Sequence, residues 1–199
     1  MQHATEVPDR QRLRKFTVED FHLMAEKGIF APDERVELIA GVVQTMSPKN
    51  RAHSLALYHV VEFLRKELRG RASVYQEVPL RLATHDSEPE PDVLLCSNPD
   101  VDAYGTASTE PVMVIEISDS SLARDLGEKA RLYARAGIPE YWVVNLVDRT
   151  IVSFRGPAEA GYTERSEAQS GSVVSPSAWP DVALEVSSVF PEADSDDKP

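Results

Sequence analysis

Two short runs of this chain each set one acid among apolar residues: Pro91-Asp92-Val93-Leu94-Leu95-Cys96 and Val112-Met113-Val114-Ile115-Glu116-Ile117-Ser118. Burying a carboxylate among Val, Ile and Leu costs free energy unless a cation or hydrogen-bond donors compensate. Two such strands suggest a shared compensation. A divalent metal would supply it, with Asp92 and Glu116 as carboxylate ligands and the backbone carbonyl of Ile117 as a third oxygen. Mg²⁺ prefers such oxygens, and Mn²⁺ can substitute.

A cation from the chain itself belongs to the same pattern. Leu122, Leu126, Lys129, Ala130 and Tyr133 fall on one helical stripe, so Lys129 is expected to face inward, towards the sheet. An ammonium facing a core is costly without nearby carboxylates, so the inward lysine and the inward acids account for one another. Two acids, a metal and a lysine suit hydrolysis of a phosphodiester. The metal polarises the phosphoryl oxygen and lowers the pKa of the attacking water, and positive charge stabilises the transition state.

Three further residues join the candidates. Glu37 shares a strand face with Ile39, His53 lies on the core-facing stripe of a helix, and Glu77 is a weaker acid candidate. Each has a purely structural alternative. Asp92 could turn the chain after Pro91, Lys129 could pair with Asp125 on the helix surface, and Glu37 could pair with Arg35. His53 could be a satisfied core histidine; in the functional reading it reaches the phosphate or the water.

The elements that must position these residues follow from periodicity. Thr17 caps a first helix, with Phe16 and Phe21 placed as a hydrophobic staple and Gly28 at its end. Arg35 to Met46 alternates and breaks at Ala40-Gly41, which predicts a hairpin. From His53 to Arg69 the residues Leu57, Val60, Val61, Leu64 and Leu68 predict a long amphipathic helix closed by Gly70. Val74 to Leu82 is expected as a strand interrupted by Pro79. His85 to Glu90 reads as a polar loop, and Asn98 to Pro111 as an exposed connection. After the helix of Lys129, stopped by Gly137 and Pro139, strands are expected over Tyr141 to Val147, Thr150 to Arg155 and around Val182 to Val186. The region before the last of these, through Ser170-Gly171-Ser172, reads as polar and irregular. The fold class is α/β, a mixed β-sheet with helices packed on its faces.

A chain of 199 residues with 42% apolar and 27% charged residues is ordinary for a globular protein. We expect one domain over 15–190, a flexible arm over 1–14 and an acidic disordered tail over 191–199. No apolar run approaches the roughly 18 residues of a membrane span, and no secretory signal is evident, so the expected location is cytoplasmic. The net charge of −12 opposes non-specific binding to nucleic acid. Three basic clusters, around Arg12, Arg69 and Arg131, still allow a local basic groove. The single cysteine, Cys96, is expected to be a packed side chain.

One ordered set of residues carries more than its parts: Glu37-Leu38-Ile39-Ala40-Gly41, His53, Pro91-Asp92, Glu116-Ile117-Ser118, Asp125 with Lys129, Tyr133, and Gly137-Ile138-Pro139-Glu140-Tyr141-Trp142. It resembles the Uma-type putative restriction endonuclease family, within the PD-(D/E)XK nuclease superfamily, from about Phe16 to Phe190. The resemblance implies a restriction-endonuclease-like mixed sheet flanked by helices, DNA as substrate, Mg²⁺ as cofactor and a homodimer. It implies Asp92, Glu116 and a lysine as the catalytic core, with Glu37 and His53 beside them. Where the superfamily places its lysine two residues after the acid, this chain has Ser118, so Lys129 on the following helix is expected to take that place.

The function expected is metal-dependent endonucleolytic hydrolysis of DNA. The alternative is a catalytically inactive nuclease-fold module for binding or regulation, which the acidic composition favours. A hydrolase of another phosphate ester would use the same ligands.

Overall fold

The computed structural model describes residues 13–105 and 110–190. Both the tail expected over 191–199 and most of the arm expected over 1–14 lie outside the described residues. The chain groups into two compact units, one drawn from residues up to Met46 together with Arg81–Pro89, the other from Ser47–Leu80 and from Glu90 onward.

The first unit holds α1 (Val18–Glu26) and a hairpin of β1 (Val36–Ile39) and β2 (Val42–Thr45). Thr17 caps α1 with a full capping box: its side chain accepts from the Asp20 N–H while the Asp20 carboxylate accepts from the Thr17 N–H. The hairpin turns at Ala40 and Gly41, both at positive φ, 48° and 77°. That pairing is what a tight turn matching the strand twist requires. Residues 81–89 close the unit, because Leu38 bridges Glu88 and the Gly41 N–H donates to Asp86 O at 2.8 Å. Val18, Phe21 and Leu38 form its core.

The second unit is built on a six-stranded sheet in the order β3-β4-β5-β6-β7-β8. The strands are β3 (Ser73–Gln76), β4 (Val93–Cys96), β5 (Pro111–Ser118), β6 (Glu140–Asn145), β7 (Thr150–Ala158) and β8 (Gly161–Ala168). Every neighbouring pair is antiparallel except β5 with β6, so the sheet is mixed as expected. The parallel pair needs a crossover, and the segment after β5 supplies it. This crossover runs as a short α3 (Leu122–Arg124), a π-helical turn over Asp125–Lys129 and α4 (Ala130–Arg135).

Alternation sorts the sheet residues between two faces. On one face Met113, Ile115, Ile117, Trp142, Val144 and Ile151 pack with Leu57, Val60, Val61 and Leu64 of α2 (Arg51–Glu67). Glu116 and Ser118 take the other face, which the crossover covers. A two-stranded ribbon, β9 (Val173–Val174) with β10 (Leu184–Glu185), completes the unit.

Four local expectations are corrected. Val74 to Leu82 is not one strand: β3 ends at Gln76, because Glu77 takes a positive φ of 52° and Pro79 has no N–H to donate. The polar region before Ser170 contains β8, an edge strand whose residues are mostly exposed and which pairs with β7 through its backbone. The connection after Asn98 is not wholly exposed, since Val101–Ala103 forms a 3₁₀ turn that buries Ala103. Lastly, the strand expected around Val182 to Val186 shortens to Leu184–Glu185.

Cys96 is fully buried at the end of β4, and burial pushes its thiol up to about 11. In the folded protein at about pH 8 a disulfide-exchange reagent is therefore expected to leave Cys96 unmodified, and guanidinium chloride is expected to expose it to full reaction. Rapid labelling of the folded chain would contradict this placement. No helix among the described residues is long and apolar enough to cross a membrane.

Candidate active site

Asp92 is the residue before β4, and Glu116 lies near the end of β5. The antiparallel register that pairs Val93 with Ile115 brings Asp92 level with Glu116. Asp92 and Glu116 are 5% and 4% exposed as residues, so neither is solvated as an ordinary surface acid. Asp92 Oδ2 accepts from the Ile117 N–H at 2.8 Å and faces His53 Nε2 at 3.2 Å. The C=O of a strand residue leaves along the same edge as its N–H, so the Ile117 carbonyl is turned to the Asp92 side of β5.

Lys129 is 2% exposed and donates to Glu116 Oε1 at 2.9 Å. Tyr133, one helical turn later, donates its hydroxyl to the same oxygen at 2.9 Å. Lys129 and Asp125 are both buried, so neither lies on the helix surface. Instead both side chains point inward from the π-helical turn, a device that widens the helix locally and recurs at functional sites. Asp125 accepts from Ser118 Oγ at 2.7 Å and from Ser121 Oγ at 2.5 Å. Ser118, at the position where a lysine was to be expected, is thus tied to the helix that carries Lys129.

His53 opens α2 behind its N-cap, Asn50, whose side chain accepts from the His53 N–H at 2.9 Å. Its Nδ1 is buried and makes no hydrogen bond among the described residues. Glu37 is buried on β1 opposite Gln44 and belongs to the first unit. The site described here is drawn from the second unit alone.

Lys49 has no counterpart in the sequence reading. Its ammonium donates to Asp92 Oδ1 at 2.9 Å and makes a close hydrogen bond to Glu77 Oε1. It follows Pro48 in a loop, where no periodicity marks a direction. The only sequence signal was its place four residues before His53. Glu77, the weaker acid candidate, is brought to the site by this contact.

The charges of the cluster are mutually supporting. Burial opposes ionisation of Asp92, but the hydrogen bond and charge of His53, the Lys49 ammonium and the Ile117 N–H together hold its carboxyl below the usual range. Burial also works against the Lys49 ammonium, and Asp92 with Glu77 outweighs it, so Lys49 is held charged. Tyr141 shows the reverse effect. Burial, followed by the charges of Asp125 and Glu116 and, more weakly, Asp92, pushes its phenol well above the ordinary value. It therefore stays protonated and donates to the Asp125 carbonyl at 3.1 Å.

The donor set fits a hard divalent cation. Asp92 and Glu116 offer carboxylates at neighbouring register positions, and a carbonyl flanks them. Among the described residues no three His, Cys, Asp or Glu side chains converge as a metal-binding group. A cation here would rest on two carboxylates, a carbonyl and water, the partial protein shell that Mg²⁺ tolerates.

A mixed sheet whose parallel pair is crossed by a helix, with two acids and a lysine gathered at the ends of neighbouring strands, defines a protein of the restriction-endonuclease-like fold. The chain belongs to the Uma2 family, described as putative restriction endonuclease, whose family profile matches residues 18–187. It is also similar to a crystal structure of a putative nuclease belonging to DUF820 from Anabaena variabilis, with a TM-score of 0.70. That likeness covers 88% of this chain and 97% of the other at 14% sequence identity, and at such identity it speaks for the fold alone. No curated protein matches the chain.

Proposed function

We propose that the chain is a divalent-metal-dependent endonuclease that hydrolyses DNA phosphodiester bonds. The observation that carries this reading is the buried Lys129–Glu116 contact of 2.9 Å beside Asp92. A structural role alone gives little reason to bury an ammonium and two carboxylates together, because their desolvation rarely leaves a net gain in stability.

In this reading Asp92, Glu116 and the Ile117 carbonyl would hold the cation. When bound, it would supply Lewis acidity at the phosphoryl oxygen and a water of lowered pKa. Lys129 Nζ would orient the attacking water and stabilise negative charge as the phosphorane-like transition state develops. Tyr133 fixes the Glu116 carboxylate, and the Ser118–Asp125 hydrogen bond holds the crossover helix to β5. His53 orients Asp92 and offers its buried imidazole to the phosphate or the water. Cutting both strands of a duplex with one site per chain calls for a homodimer, which sedimentation of the purified protein tests.

The second reading is a catalytically inactive module of the same fold. Lys49 favours it, since its ammonium already neutralises Asp92, as does the net charge of −12, which repels a polyanion. Incubation with supercoiled plasmid and with linear single strands separates the two. The endonuclease reading expects nicking in Mg²⁺ or Mn²⁺ that EDTA stops. Absence of cleavage from a chain that binds Mn²⁺ would favour the module, or a hydrolase of another phosphate ester.

A further inference from the structure

Lys49 lies where a metal-site cation would be expected to lie. Its nitrogen bridges two carboxylates, Asp92 Oδ1 and Glu77 Oε1, and its side chain is 19% exposed, with solvent on one side. Oxygens that both hydrogen-bond to one nitrogen are close enough to close on one cation. The two acids are not equally anchored. Asp92 is fixed by Ile117 and His53, whereas Glu77 is fixed through its backbone: it holds a positive φ of 52°, and its N–H donates to Asp92 O at 3.1 Å. A non-glycine residue in the left-handed region carries strain that the surrounding structure must sustain, and such residues gather at functional sites. Glu77 is thus aimed at the space Lys49 fills. Lys49 itself sits on a loop at the end of a flexible four-carbon stem, so it can leave without moving the sheet.

We propose that Lys49 is a tethered counter-cation that competes with the divalent metal for Asp92, and that its departure lets Glu77 turn in as an additional carboxylate ligand, a third acid that does not converge with the other two while Lys49 is in place. Lys49 thereby sets the metal concentration at which the site loads. The proposal rests on the reading of Asp92 as a metal ligand. It goes beyond that reading in assigning Lys49 and Glu77.

Calorimetric titration of the full chain with Mn²⁺, without nucleic acid, tests it. Lys49→Met is expected to bind Mn²⁺ at least about tenfold more tightly than wild type, because the internal competitor is gone. Lys49→Arg, which keeps the charge, is expected to bind no more tightly than wild type. In thermal melts without metal Lys49→Met should unfold at a lower temperature, and Mn²⁺ should raise its midpoint more than that of wild type, since a ligand stabilises the state it binds. If Lys49→Met does not fold, Lys49→Met with Glu77→Gln removes both charges together. That double variant should bind Mn²⁺ more tightly than wild type.

Equal or weaker Mn²⁺ binding by the folded Lys49→Met or double variant overturns the proposal. The two failures are separable. Wild-type binding lost in Asp92→Asn but unchanged by Lys49→Met removes the competition and leaves Asp92 as a ligand, whereas no binding by any variant removes both.

Discussion

Asp92→Asn is expected to lower plasmid cleavage by about 10³-fold or more while leaving the fold in place. The size follows from what the substitution removes. Asn keeps the shape of the side chain and an oxygen able to accept the Ile117 N–H, so the backbone geometry of β4 and β5 survives. It loses the negative charge, and with it the affinity for a hard cation and the electrostatic fit to His53 and Lys49. Single groups that stabilise a charged transition state are commonly worth 10²- to 10³-fold, and a metal ligand acts on every step that uses the metal. A steady-state comparison in Mg²⁺ measures the effect, with circular dichroism to confirm folding. Activity within a few-fold of wild type in a folded Asp92→Asn would remove Asp92 from the chemistry.

The second large effect is on stability as well as rate. Lys129→Met is expected to abolish cleavage and to destabilise the chain by about 3 to 5 kcal/mol, because it strands the buried Glu116 carboxylate without its ammonium. Tyr133 remains as a donor to Glu116 Oε1, but one neutral hydroxyl does not replace a charge. Glu116→Gln should destabilise for the converse reason, removing the Glu116 charge from beside the buried Lys129 ammonium. The double variant Lys129→Met with Glu116→Gln should recover much of the lost stability and none of the activity. Denaturant titration of the four proteins gives the coupling directly. Additive losses in the double variant would mean that the two side chains do not depend on one another. Recovery of activity along with stability would mean that the pair is structural.

Much of the architecture was legible because the relevant signals are local. The apolar stripe of α2, the alternation broken at Ala40-Gly41 and the apolar runs of β4, β5 and β6 each specify one element. β8 was not legible: Gly161–Ala168 is polar and mostly exposed on both faces, and its strand geometry comes from backbone pairing with β7 rather than from a buried face. Nor was the π-helical turn. The stripe of Leu122, Leu126, Lys129 and Tyr133 places Lys129 inward with or without it, so the pattern gives no sign of the insertion.

The rule that an acid among apolar residues needs a partner pointed to Asp92 and Glu116, and both are buried with donors beside them. The same rule applies to Glu140, which is buried at the start of β6 and accepts from Trp142 Nε1, Arg155 Nε and the Ser177 N–H. Three donors satisfy that carboxylate as a structural anchor. A buried acid is therefore a question that the surrounding donors answer, and they are distant in sequence. Lys49 makes the same point from the other side. As a loop lysine it carries no pattern, and only the folded chain shows it between Asp92 and Glu77.

The central claim is that Asp92 and Glu116 hold one divalent cation beside Lys129. Crystals of the protein soaked in Mn²⁺ and measured at the manganese absorption edge test it most directly, because the anomalous signal locates the ion without assumption about its ligands. The account predicts one anomalous peak between the two carboxylates, within coordination distance of the Ile117 carbonyl. A peak bound elsewhere, or none at Mn²⁺ concentrations that saturate calorimetric binding, would contradict it.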